Sequence, residues 1–344
     1  MLLLETTART LVQKGRGILA ADESTTSANK RFAAVGVEET EENRRVYRQL
    51  LLTTPEARAT LSGVIFYDET FWQMSDDGRP FHRLVEEAGI LPGIKVDEGL
   101  VDLPGFPGEK ITKGLDGLPE RMIKYRDAGA KFAKWRAVIT VDGELPTKDC
   151  IAANAFVLAR YARICQDFDI VPIVEPEVLF DGSHTNVECE RVMGLVYTAL
   201  FVAMKNMRVH LPGAILKTSM VLPGKDSGIA VDPEDVATRT VRQLHERVPT
   251  ELGGVVFLSG GQTPSQAFLN LNRIAQKGPH PWGLTFSYSR GLQDPVLKYW
   301  AAHRENTAEA QSIFAHQLKI AVDSSLGTLN TEELGGDYVS ESQN

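Results

Sequence analysis

Two lysines stand in apolar stretches where a strand would ordinarily hold none. Lys217 follows Ala214, Ile215 and Leu216, and Lys134 sits in Phe132-Ala133-Lys134-Trp135-Arg136. A charged amine in such a run is costly unless it is paired or functional. Lys217 is the candidate nucleophile for attack on a carbonyl, with a buried ion pair as the alternative reading. Such an amine must be neutral, whereas exposed lysine is almost wholly protonated at neutral pH. Burial and a neighbouring cation both favour the neutral form. Lys134, Arg136 and Lys95 offer such cations, and Lys134 and Arg136, two apart on one strand, share a face.

The carboxylates repeat that spacing. Glu175 and Glu177, in IVEPEV, share a strand face. Two close carboxylates push one pKa up, which suits a proton shuttle. Opposite Lys134 and Arg136, they would serve equally as structural ion pairs. Asp22 ends the run GILAADE, where the following Ser24 and Thr25 are ordinary helix caps. Ser259-Gly260-Gly261-Gln262 follows an apolar run, and backbone amides at such a turn cradle anions. A later run closes on Ser287-Tyr288-Ser289-Arg290, which brings a guanidinium. Gly224-Lys225 is not a Walker A loop, since Asp226 stands where Ser or Thr should follow the lysine. The seven histidines show no HxH, HxxxH or HExxH pairing, so no metal site is expected.

These residues need a frame. Apolar, β-branched runs at 17–23, 61–69, 90–98, 130–139, 169–178, 214–222, 254–262 and 281–289 alternate with helical stretches such as NRRVYRQLLLT. That alternation implies parallel strands with crossover helices. Eight runs match the number needed to close a (β/α)8 TIM barrel. Most runs end in polar residues, which a barrel gathers at the C-terminal ends of its strands, the face that carries the active site. Phosphate is often bound there by the loops after the seventh and eighth strands, here Ser259 to Gln262 and Ser287 to Arg290.

Length and composition agree with one large α/β barrel. The chain has 344 residues, 43% of them hydrophobic, enough to bury a core without staples. We expect one domain over 1–326, opening with an amphipathic N-terminal helix, and a flexible, polar C-terminal tail over 327–344, with docking as an arm as the alternative. The net charge of -8 argues against nucleic acid as a partner. No run of about 18 apolar residues and no secretory pattern occurs, so no membrane partner is expected. Cys150, Cys165 and Cys189 form no CxxC, which fits a reducing compartment.

In order along the chain, GILAADESTTS, TEENRRVYRQLL, GVIFYDET, GIKVDEG, AKFAKWRAV, IVPIVEPEV, ILKTSMV, FLSGGQ and FSYSRGLQ resemble the class I fructose-bisphosphate aldolases. The resemblance runs from about Leu11 to Ala302. It implies a lyase that cleaves fructose 1,6-bisphosphate to dihydroxyacetone phosphate and glyceraldehyde 3-phosphate, without a cofactor. Lys217 then matches the Schiff-base lysine, Glu175 the general acid/base, Asp22 the aspartate near the cleaved bond and Lys134 a lysine beside the reacting carbons. Ser259, Gly260, Gly261, Ser287 and Arg290 match positions for one phosphate, and Ser24, Ser27 and Lys95 positions for the other. Arg31 matches a further substrate-contacting arginine, and Arg136 joins the substrate-binding set.

The family often has glycine where this chain has Ser289, and serine tolerates φ > 0 less well. Many members end in a tyrosine that tunes substrate handling. Here the last residues are Ser342-Gln343-Asn344, and the tail's tyrosine is Tyr338. The resemblance also implies a homotetramer. The expected location is the cytoplasm, although a mature plastid protein would look the same. A transaldolase-like enzyme would share the lysine chemistry but transfer the three-carbon unit, and the two-phosphate set favours cleavage. A metal-dependent aldolase would need clustered histidines. A barrel kept only as a binding scaffold would not need Lys217, Glu175, Asp22 and Lys134 together.

Overall fold

The computed structural model describes residues 1–334. Eight parallel strands close into a barrel: β1 (Gly17–Ala21), β2 (Leu61–Phe66), β3 (Leu91–Lys95), β6 (Phe132–Ile139), β7 (Val171–Val178), β8 (Ile215–Thr218), β9 (Gly254–Phe257) and β10 (Leu284–Tyr288). Each of the eight expected runs supplies one of them. The strands are shorter than the runs because the polar ends turn out into loops, as at Asp22, Ser259 and Ser289. Going round the barrel, the order is β1-β10-β9-β8-β7-β6-β3-β2, so strands consecutive in the closed ring lie side by side.

One hairpin was not legible in advance. β4 (Leu100–Asp102) and β5 (Lys110–Thr112) pair antiparallel between β3 and β6, outside the barrel. Three-residue strands carry too little alternation to stand out from a loop.

Alternation along each strand separates two cores. Outward side chains such as Phe66, Trp135 and Phe257 pack beneath the surrounding helices. Inward ones form a smaller apolar cluster of Ile18, Ala20, Ile65, Phe132, Val171, Ile173, Ile215 and Val256. The N-terminal helix Leu2–Leu11 joins this inner cluster through Leu4, Ala8 and Leu11, followed by Val12, and closes the barrel's N-terminal end. Phe132 fills the lower interior because Gly63 and Gly93 face it without side chains; a Cβ on Gly93 would overlap its ring. Two residues further along β6 the inward positions become Lys134 and Arg136, and on β7 Ile173 gives way to Glu175 and Glu177. The interior is therefore apolar below and charged above.

Gly327, at φ 74°, ends the helix Thr307–Leu326. Beyond it the chain stays packed as far as it is described. Leu329 and Leu334 are buried, Leu329 N–H donates to Asn272 Oδ1 at 3.1 Å, and the Ser265 hydroxyl donates to Leu334 O at 3.3 Å. Tyr338 and the last three residues lie outside the described residues.

Substituting Gly93→Ala should destabilise the fold by roughly 1–3 kcal/mol, the usual range for overpacking. Urea unfolding checks this, and an unchanged midpoint would mean that the Phe132 ring has room to move.

Candidate active site

The C-terminal ends of the strands converge on a cavity of about 910 Å³. Of the residues expected to act, Asp22, Ser24, Ser27, Arg31, Lys95, Lys134, Arg136, Glu175, Lys217, Ser259, Gly260, Ser287 and Arg290 all line it. Gly261 does not. It lies one position further round the turn at φ +78°, where any Cβ would overlap the Phe180 ring.

At the centre, four buried charges alternate in sign. Lys134 Nζ lies 2.6 Å from Asp22 Oδ2 and 3.0 Å from Glu175 Oε2. Lys217 Nζ lies 3.1 Å from the other Glu175 oxygen, Oε1. The Glu175 carboxylate is thus shared between two lysines. Its Oε2 is buried and makes a charge contact with Lys134 but no aligned hydrogen bond among the described residues.

The register explains the cluster. β6 and β7 pair from Phe132↔Val171 to Ile139↔Val178, with Arg136 opposite Glu175. β8 pairs with β7 at Ile173↔Ile215, and Lys217 comes two residues later on the same inward face.

The electrostatics follow from these contacts. Burial alone would raise the Glu175 carboxyl, but Lys134, Lys217 and Arg136 outweigh it and bring the group below the usual carboxylate range. Burial likewise works to raise Asp22, and Lys134, Lys217 and Lys95 bring it down to about 2. Lys134 is desolvated, yet Asp22, Glu175 and Asp97 hold it protonated well above the ordinary lysine range. The proximity of Glu175 and Glu177 therefore does not raise the Glu175 pKa. Each carboxylate has its own cation, because Arg136 Nε donates to Glu177 Oε2.

Around this centre lie the residues expected to bind phosphate. Lys95 Nζ is 2.7 Å from Asp97 Oδ1 and lies 5.9 Å from the Tyr67 ring centroid. Ser24 caps the helix Thr25–Ala34, accepting from Ser27 N–H, and its hydroxyl donates to Ser27 Oγ at 3.1 Å. Ser259 Oγ accepts from Gly291 N–H at 3.3 Å. Ser287 Oγ is buried in the cavity wall without a hydrogen-bond partner among the described residues. An orphaned buried hydroxyl is costly unless a ligand or water satisfies it. Among the described residues, no group of three or more His, Cys, Asp or Glu side chains is placed to hold a metal ion.

Sequence reasoning missed several contributors. Lys30 lines the cavity from the same helix as Ser27 and Arg31. Asp97, near the end of the third run and just past strand β3, is buried close to Lys95 and Lys134. Glu23 accepts from Arg31, from Arg48 at 2.6 Å and from the Ser289 hydroxyl at 2.6 Å. Asp97 sat beside a residue already singled out, and that adjacency was the available signal. Glu23 is bound to positions distant in the chain and gave none.

A model of the family "Fructose-bisphosphate aldolase class-I" matches residues 3–343. The chain belongs to the class I fructose-bisphosphate aldolases. It is 49% identical to the cytosolic fructose-bisphosphate aldolase 4 of Arabidopsis thaliana over 95% of this chain and 84% of that one. It is equally identical, at 49%, to a probable class 1 fructose-bisphosphate aldolase of Xanthomonas campestris over 92% of this chain and 95% of that one. The solved structure of the Plasmodium falciparum fructose-bisphosphate aldolase superposes with a TM-score of 0.93 at 46% identity, covering 95% of both chains. This aldolase is accordingly a lyase on a (β/α)8 barrel, and its buried lysines lie on the face where such barrels do their chemistry.

A carboxyl with a depressed folded-state pKa stabilises the fold above its unfolded value of 3.8 and loses that contribution as pH falls toward about 2. The stability gap between wild type and Asp22→Asn should therefore narrow by roughly 2 kcal/mol between about pH 5 and pH 2. Urea unfolding at each pH measures it, and a constant gap would show that Asp22 does not carry this charge.

Proposed function

We propose that Lys217 is the Schiff-base nucleophile of this aldolase and that Glu175 is its proton-transfer partner. The observation that carries the proposal is the buried Lys217 amine 3.1 Å from a carboxylate that a second lysine also holds. Glu175 is within reach of the proton that Lys217 must lose before attack. Lys217 adds to the C2 ketone of fructose 1,6-bisphosphate, and loss of water, assisted by Glu175, leaves an iminium. That cation accepts the electron pair of the C3–C4 bond as the C4 hydroxyl gives up its proton. Glu175 is the acceptor assigned to this proton, since its carboxylate already lies 3.1 Å from the Lys217 amine that carries the substrate. Asp22 instead keeps Lys134 in place and charged. Glyceraldehyde 3-phosphate departs, the enamine takes a proton at C3, and hydrolysis releases dihydroxyacetone phosphate.

The phosphates fix the register of the reacting bond. Ser259, Gly260, Ser287 and Arg290, with Arg31, hold one, and Ser24, Ser27 and Lys95 hold the other. Gly261 keeps the first of these loops in shape. Arg136, tied to Glu177, lends positive charge to the same wall. Family membership supports a homotetramer, and the cytosolic plant relative supports a cytoplasmic location.

Borohydride added with dihydroxyacetone phosphate should trap a stable adduct, and peptide mass mapping should find it on Lys217. Cleavage by Lys217→Ala at the wild-type rate, or an adduct on another lysine, would sink the assignment. Glu175→Gln should lower kcat by about 10²–10⁴-fold, the range for loss of a general acid/base. Stopped-flow assays of the two half-reactions would show whether dehydration and C–C cleavage slow together, as a shared proton carrier requires.

A further inference from the structure

Beside the anion-binding wall, the polar network contains one donor that it can spare. Ser289 stands at φ -105°, outside the left-handed region, so serine sits there without the strain that would favour glycine. Its hydroxyl donates to Glu23 Oε1 at 2.6 Å and accepts from Gln293 Nε2 at 3.2 Å. Gln293 is itself fixed, because the same nitrogen donates to Ala20 O at 2.8 Å. Glu23 does not depend on the serine for neutralisation, since Arg31 and Arg48 both donate to it.

The single hydroxyl proton of Ser289 can therefore leave Glu23 without stranding a charge. A hydroxyl rotates about its own bond to suit its acceptor. Ser289 lines the cavity together with Ser287, whose buried hydroxyl has no partner among the described residues, and with Arg290, which begins the next helix.

We propose that the Ser289 side chain is a direct phosphate ligand, turning its proton from Glu23 to a phosphate oxygen when substrate binds. This rests on the aldolase reading of the cavity and assigns it a hydroxyl in addition to the backbone amide that any residue would supply there. The donor makes the site discriminate more strongly for phosphorylated over unphosphorylated ligands.

The test is calorimetric titration of the full chain with inorganic phosphate, comparing wild type with Ser289→Ala and Ser289→Gly. Loss of one charge-assisted hydrogen bond should weaken phosphate binding about tenfold in both variants. The KM for fructose 1,6-bisphosphate should rise by a similar factor, with the loss in KM and not in kcat. Borohydride trapping of unphosphorylated dihydroxyacetone separates a phosphate ligand from a merely structural residue: the loss should be confined to phosphorylated ligands. Wild-type phosphate affinity in both variants would overturn the proposal, as would an equal loss toward dihydroxyacetone. A failure of the aldolase reading looks different, because wild type would then take no adduct on Lys217 while the phosphate titration still reports on Ser289.

Discussion

Two buried lysines and two buried carboxylates neutralise one another at the upper end of the barrel, and the rest of the site is arranged around that balance. Desolvating each ion costs several kcal/mol, which is recovered only when partners are close and well placed. Here Asp22, Lys134, Glu175 and Lys217 come from four different strands or strand ends. Only a closed barrel brings them within contact distance. Each amine sits beside a carboxylate, Lys134 between Asp22 and Glu175 and Lys217 against Glu175. Asp97 and the Arg136–Glu177 pair extend the same alternation outward. A cation at Lys134 also favours negative charge developing on a bound substrate, without a proton having to move first.

The frame was legible because it is periodic. Eight apolar runs separated by helical stretches define a parallel barrel, and inward residues two apart on β6 and β7 defined the charged faces. Lys134 and Lys217 stood out because a lysine in an apolar strand contradicts its surroundings. What the sequence left open was pairing. Whether Glu175 and Glu177 work as a proton shuttle or as ion pairs depends on which cation each one meets, and the packing of side chains inside the barrel sets those partners. It gives Glu177 to Arg136 and shares Glu175 between two lysines.

Other parts were hidden for different reasons. The network of Glu23, Arg48, Ser289 and Gln293 ties residues up to 266 positions apart, and no local pattern announces such contacts. The β4–β5 hairpin is too short to show a period. Past Gly327 the composition is polar, yet Leu329 and Leu334 are each buried. Single apolar anchors in a polar stretch leave no periodic signature, so composition could not choose between a flexible tail and a docked arm, and as far as Leu334 the segment is docked.

The N-terminal helix sets Leu4, Ala8 and Leu11 against the inward apolar cluster, at the end of the barrel away from the strand ends that line the cavity. An aldol cleavage splits one guest into two, and only one of them is covalently tethered to the wall. The tethered fragment is held until water hydrolyses the iminium, while the other is held by no covalent bond. The apolar plug beneath and the charges above thus confine this chemistry to one end of the barrel, the end the N-terminal helix does not touch.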